Sequence, residues 1–232
     1  MGKRESRYFL IVLFVSFFLI GFILSITLDY NKKQEINKAG LVIVGVDENG
    51  IGKASLLLTE KRAGSGLVLV NIGDILADYE TQYSARVAAK VASNYTSRKL
   101  DSWDIIYNIE SNASVVGGSS AGSAMAVATI SLLENKELNG SVAITGSLNE
   151  DGTLGSASGI KQKANAARGE GVKLLLVPKG SDYDVISYID ERKCESMDSV
   201  EYCEIKRSER SNLGIELKEV ETIKDALQYF LI

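Results

Sequence analysis

Ser120 and Lys163 are the side chains best placed by type and context to do covalent chemistry, because the 232-residue sequence contains no histidine. A Ser-His-Asp triad, a Cys-His pair and a histidine-ligated metal are therefore excluded, and any activated nucleophile needs another base. The stretch Gly117-Gly118-Ser119-Ser120-Ala121-Gly122 reads as a glycine-rich turn that delivers a serine to the apolar, alanine-rich run 121–133, an expected helix. A helix start supplies free backbone N–H groups and the positive end of a dipole, which suit a developing oxyanion as well as they suit a serine cap. Ser119 is adjacent and competes with Ser120 as nucleophile.

Gly159-Ile160-Lys161-Gln162-Lys163 opens a second expected helix, and two lysines compete there for the role of base. A helix starting near Gly159 puts Ile160, Lys163, Ala164 and Ala167 on one face, the apolar one, and turns Lys161 away. A lysine on a buried stripe is penalised in its charged form, and a drop of roughly three units would make it a usable base near neutral pH. The competing reading has Lys163 at the edge of the face, reaching solvent along its stem. Thr145 follows the apolar strand 142–144 and precedes Gly146. Its hydroxyl could orient the lysine amine, or simply satisfy a strand-end carbonyl. Asp104 and Glu110 precede the serine turn, where solvated strand-edge carboxylates are the commoner outcome.

These segments resemble the proteolytic domain of the Lon family of serine proteases. The serine turn is similar to the family's Gly-Pro-Ser-Ala-Gly motif, with Ser119 where proline is usual. Thr145-Gly146-Ser147-Leu148, Asp151-Gly152-Thr153-Leu154-Gly155 and Gly159 through Lys163 resemble its Thr-Gly turn, glycine hairpin and lysine motif. The resemblance aligns Ser120 with the nucleophile and Lys163 with the catalytic lysine, gives Thr145 a supporting part, and places Gly118 and Ser119 in the turn around the serine. Asn108 through Gly118 is closer to a compact archaeal branch that carries a membrane segment and no ATPase. Where many relatives have histidine on the preceding strand, this chain has Ile106 and Asn108. Likeness runs from about residue 40 onward, with an insertion at about 186–214. Ring-forming homo-oligomers are implied by the resemblance alone.

Residues 9–28 form a charge-free stretch rich in Phe, Leu, Ile and Val, about the length needed to span a bilayer. No small-residue cleavage pattern follows, so the organisation expected is a short tail (1–7), one transmembrane anchor (8–28), a linker (29–39) and a protease domain (40–232). Lys3, Arg4 and Arg7 favour an inside N-terminus and an extracytoplasmic domain, although Lys32, Lys33 and Lys38 lie on the far side. Cys194 and Cys203, the two cysteines, fall in the insertion at a spacing that a surface disulfide can close. Three Asn-x-Ser/Thr triplets, at Asn94, Asn112 and Asn139, add weak support.

Strands are expected over 41–46, 54–59, 67–71, 104–109, 141–147, 173–177 and 215–220, and helices over 75–93, 121–135, 160–168 and 222–231. That order implies an α/β (α+β) domain with a mixed sheet. Segment 191–212, charged and without apolar periodicity, reads as a mobile surface excursion. Gly50-Ile51-Gly52-Lys53 superficially suggests a phosphate loop but lacks the earlier glycine and the following Ser or Thr. No cofactor or metal is expected. A net charge of −4 without a basic stripe disfavours nucleic acid. The expected partners are a polypeptide substrate and, through the anchor, a lipid bilayer. The function reads as membrane-anchored, ATP-independent endopeptidase activity. The alternatives are a catalytically silent, membrane-tethered peptide-binding module and autoprocessing or signal-peptide-type hydrolysis by the same dyad.

Overall fold

The computed structural model describes residues 13–22, 24, 35–71, 76–111, 115–116, 118–181, 186–197, 200–211 and 213–232. The chain divides into two units, Met1–Glu35 and Ile36–Ile232. In the first, residues 13–22 are helical. No helix among the described residues is long and apolar enough to cross a membrane. Apart from residue 24, the remainder of the apolar stretch, the tail 1–7 and its basic residues, and Lys32 and Lys33 lie outside the described residues.

In the second unit, β1 (Lys38–Val46) and β2 (Gly52–Ala63) form an antiparallel pair with Val46 opposite Gly52. β5 (Trp103–Glu110) adds antiparallel to β2, and β3 (Val68–Asn71) adds parallel to β5, giving the order β1-β2-β5-β3. The sheet is mixed, as the alternation of elements implies. A second sheet, β11-β8-β7, is wholly parallel and is built from β7 (Val142–Ile144), β8 (Leu174–Pro178) and β11 (Glu216–Val220). Leu175, Leu176 and Val177 on its central strand are fully buried, as expected of a strand covered on both faces. β4 (Leu76–Ala77) and β6 (Val115–Val116) make a short parallel pair.

Four helices complete the unit: α1 (Tyr79–Thr96), α2 (Gly122–Glu134), α3 (Ile160–Gly169) and α4 (Ile223–Phe230). α2 is buried from Gly122 to Leu133 and packs against α1, β1 and β2. Its small residues permit close approach to Ser84, Ala85 and Ala88 of α1, while Met125, Ile130 and Leu132 fill the core. Truncating any of these three to alanine would cost about 2–5 kcal/mol. A second apolar cluster under α3 joins Ile160, Ala164 and Ala167 to Val44, Leu175 and Leu217.

Two elements depart from the sequence-based expectation. α1 begins at Tyr79 rather than at residue 75, because Asp78 takes extended backbone angles and its carboxylate accepts the Thr81 N–H at 2.8 Å. On α1 the Tyr79 and Tyr83 rings are exposed and stack on each other at 6.2 Å, while Thr81, Ser84, Ala85, Ala88 and Ala92 face inward. Residues 191–212 are not an irregular excursion but belong mostly to a β-ribbon of two twelve-residue strands, β9 (Ile186–Met197) and β10 (Val200–Ser211). Its register sets Asp190 opposite Arg207, Glu191 opposite Lys206 and Lys193 opposite Glu204. Cys194 stands opposite Cys203 and is disulfide-bonded, and Cys203 is the only other cysteine.

Candidate active site

Ser119–Ala121 form a single 3₁₀ turn that runs directly into α2. Gly118 enters it at φ 89°, a backbone conformation open to glycine and strained for other residues, and Gly117 lies outside the described residues. The Gly118 N–H donates to Asp78 Oδ2 at 2.9 Å, so the residue that caps α1 also holds the entry to the serine turn. Burial opposes ionisation of Asp78, but the amides of Thr81 and Gly118 outweigh it and hold the carboxyl below its ordinary range.

The serine turn is tied to the end of β7 by two backbone bonds. The Gly146 N–H donates to the Ser120 carbonyl at 3.0 Å, and the Ser123 N–H donates to the Gly146 carbonyl at 3.4 Å. Gly146 sits at φ 137°, and a Cβ there would lie 2.5 Å from Pro178 Cγ, so only glycine passes between the two segments. The preceding residue, Thr145, is fully buried and donates its N–H to Leu176 at 3.0 Å.

Lys163 reaches this point from α3. Its face is the apolar one: Ile160, Lys163, Ala164 and Ala167 are buried, and Lys161 is exposed. The Lys163 side chain is 4% exposed and Nζ donates to Thr145 Oγ1 at 3.1 Å. Burial lowers its pKa from 10.5 to about 8. The close seating of α3 on β2 is set by Gly52, where a Cβ would lie 2.6 Å from the Gln162 carbonyl carbon. The glycine-rich stretch 50–53 is thus a hairpin end that packs beneath the lysine helix.

Ser119, Ser120 and Lys163 open onto one groove of about 350 Å³, walled by Val44 and Val46 at the end of β1 and by the 156–158 loop. Ser119 and Ser120 are both half-buried. No hydrogen bond joins Ser120 Oγ to Lys163 Nζ in this structure, whose lysine is engaged by Thr145. Asp104 does not approach this cluster: its carboxylate accepts the Ser65 and Leu67 amides at 2.8 and 2.9 Å, and Glu110 is exposed. Asn139 accepts from the Ser141 amide and hydroxyl, while Asn112 lies outside the described residues. Asp78 escaped the sequence reading because its partner Gly118 is far along the chain; the Asp-x-x-Thr cap pattern was its one visible signal.

Residues 28–207 fit the model of the Lon protease (S16) C-terminal proteolytic domain. The chain belongs to the Lon proteolytic-domain family. That family is the proteolytic domain of Lon proteases. The archaeal Lon protease of Methanothermobacter thermautotrophicus is 28% identical over 83% of this chain and 27% of its own length. That of Archaeoglobus fulgidus is 32% identical over 49% of this chain and 19% of its own. Lon protease 2 of Syntrophobacter fumaroxidans is 27% identical over 78% of this chain and 21% of its own. The chain therefore spans between a fifth and about a quarter of the length of these Lon relatives.

Proposed function

We propose that the protein is a membrane-anchored endopeptidase that works without nucleotide, with Ser120 as nucleophile, Lys163 as general base and Thr145 as the hydroxyl that orients the lysine. The observation that carries the reading is the buried Lys163 Nζ, held by Thr145 at 3.1 Å and lining the same groove as Ser120. Neutral Lys163 takes the Ser120 proton as Oγ attacks the scissile carbonyl. The Gly122 and Ser123 amides already donate to the Ser119 and Gly146 carbonyls, so the oxyanion falls to the backbone N–H groups of the 3₁₀ turn that Gly118 opens. Collapse of the tetrahedral intermediate expels the amine, which receives the proton from Lys163, and water then hydrolyses the acyl-serine with the same base. Nucleotide independence is supported by the packing role of Gly52 in the one stretch with a superficial phosphate-loop spacing. Anchoring is supported by the charge-free run 9–28, and an outward-facing domain by Lys3, Arg4 and Arg7 before that run and by the cystine at Cys194. A homo-oligomeric ring remains a proposal from the family resemblance.

A second reading, a silent peptide-binding module, is favoured by the missing Ser120–Lys163 hydrogen bond and by Ser119 in place of proline. Unliganded catalytic pairs are often long and tighten with substrate, which keeps the peptidase reading ahead. Hydrolysis of an unfolded protein by the full chain in detergent, without nucleotide and with chelator, separates the two. Ser120→Ala and Lys163→Ala should each lose on the order of a thousandfold, and Lys161→Ala should keep most activity. Strict ATP dependence, or full activity in Lys163→Ala, contradicts the proposal.

A further inference from the structure

The groove that holds Ser120 and Lys163 carries an uneven set of charges. Glu80, in the first turn of α1, lines it and is exposed, with no hydrogen-bond or ion-pair partner among the described residues. Asp47, which follows β1, also lines it, and its carboxylate accepts the Asn49 and Ile51 amides at 3.0 and 2.9 Å and meets Lys53 Nζ at 3.7 Å. Lys53 and Lys163 are the cations among the described lining residues. Lys163 is neutral when it acts as a base, and Lys53 is turned to Asp47. In the proton-accepting form of the site, carboxylates therefore outnumber ammonium groups among the described lining residues, and none of these compensates the Glu80 charge.

From this we infer that Glu80 is a specificity residue, and that the groove selects peptides carrying lysine or arginine near the scissile bond over peptides carrying aspartate or glutamate there. The inference rests on the groove being the peptidase site. Glu80 also sits favourably against the positive end of α1. That role alone would change stability and leave peptides of different charge equally affected. A substrate side chain lying over Glu80 would meet it in a partly solvated setting, so each charge interaction is modest and weakens with salt. Attraction of a cation and repulsion of an anion add, and the contrast between Lys and Glu peptides should reach about fivefold to tenfold at low ionic strength.

The test uses the full chain in detergent micelles and matched fluorogenic peptides that differ only by Lys, Gln or Glu, moved position by position on either side of the cleaved bond. At one position kcat/KM should fall in the order Lys, Gln, Glu, and the contrast should fade at high salt. Glu80→Gln should reduce the Lys-to-Glu ratio at least threefold, and Glu80→Lys should invert it. A ratio near unity at every position in the wild type, or a ratio unmoved by both substitutions, overturns the inference. If no peptide is cleaved, the peptidase reading fails by itself, and fluorescence anisotropy of the same labelled peptides still decides the charge preference. Tighter binding of Lys over Glu peptides that inverts in Glu80→Lys supports it, and equal affinities overturn it.

Discussion

Replacing Lys163 by methionine should abolish hydrolysis and yet make the protein more stable at neutral pH. The side chain is 4% exposed, and its pKa falls from 10.5 to about 8 because burial penalises the charged form. At about 1.4 kcal/mol per unit, the charged lysine costs the folded state up to about 3 kcal/mol. Below about pH 8 both folded and unfolded chains hold the proton, and the penalty is complete. From about 8 to 10.5 the folded chain has released a proton that the unfolded chain still binds, so stability rises with pH. Beyond that range neither form is charged and the penalty is gone. Methionine has a comparable volume and no charge, but it leaves the buried Thr145 hydroxyl without its partner, a loss of about 1–3 kcal/mol. The balance is a gain of about 1 kcal/mol at neutral pH that shrinks as pH rises and becomes a loss once the wild-type lysine is neutral in both states. Urea unfolding of wild type and variant at neutral pH and near pH 10.5 measures it. A variant less stable than wild type at neutral pH, or a difference that does not change with pH, refutes the burial argument.

Thr145→Val removes the hydrogen bond to Lys163 and should lower kcat by about tenfold to a hundredfold with little change in KM, read by steady-state kinetics. Asp78→Ala should cost about 1 kcal/mol through the lost α1 cap, and because the Gly118 N–H loses its acceptor, kcat/KM should fall with it. Asp78→Asn, which keeps an acceptor oxygen, should retain more of both in unfolding and peptide-cleavage assays. The kcat/KM profile should rise as Lys163 gives up its proton and level off above about pH 8, and a flat profile would remove lysine as the base.

The site was legible where local rules govern it. The helical period from Gly159 separates Lys163 from Lys161, and the exposure of Lys161 follows from that period alone. Thr145 was legible as the residue after an apolar strand, although β7 covers only Val142–Ile144, because the chain turns at Gly146 to pass Pro178. What depends on contacts distant in sequence was not legible: the bond from Gly118 to Asp78, the seating of Gln162 on Gly52, and the groove wall from β1. The stacking of Tyr79 on Tyr83 at the surface was not legible, because aromatic residues at helical spacing look alike whether they pack inward or stack in solvent. The β9–β10 ribbon was hidden because its charged sequence carries no apolar period.

The most direct test of the central claim is active-site labelling. A fluorophosphonate probe incubated with the full chain at a pH above about 8, where Lys163 is neutral, should attach to Ser120, as read by mass spectrometry of the peptide that spans the 3₁₀ turn. Labelling should vanish in Ser120→Ala and fall sharply in Lys163→Ala, while Lys161→Ala labels as wild type does. Attachment at Ser119, or labelling of Ser120 that is indifferent to the loss of Lys163, would contradict the dyad.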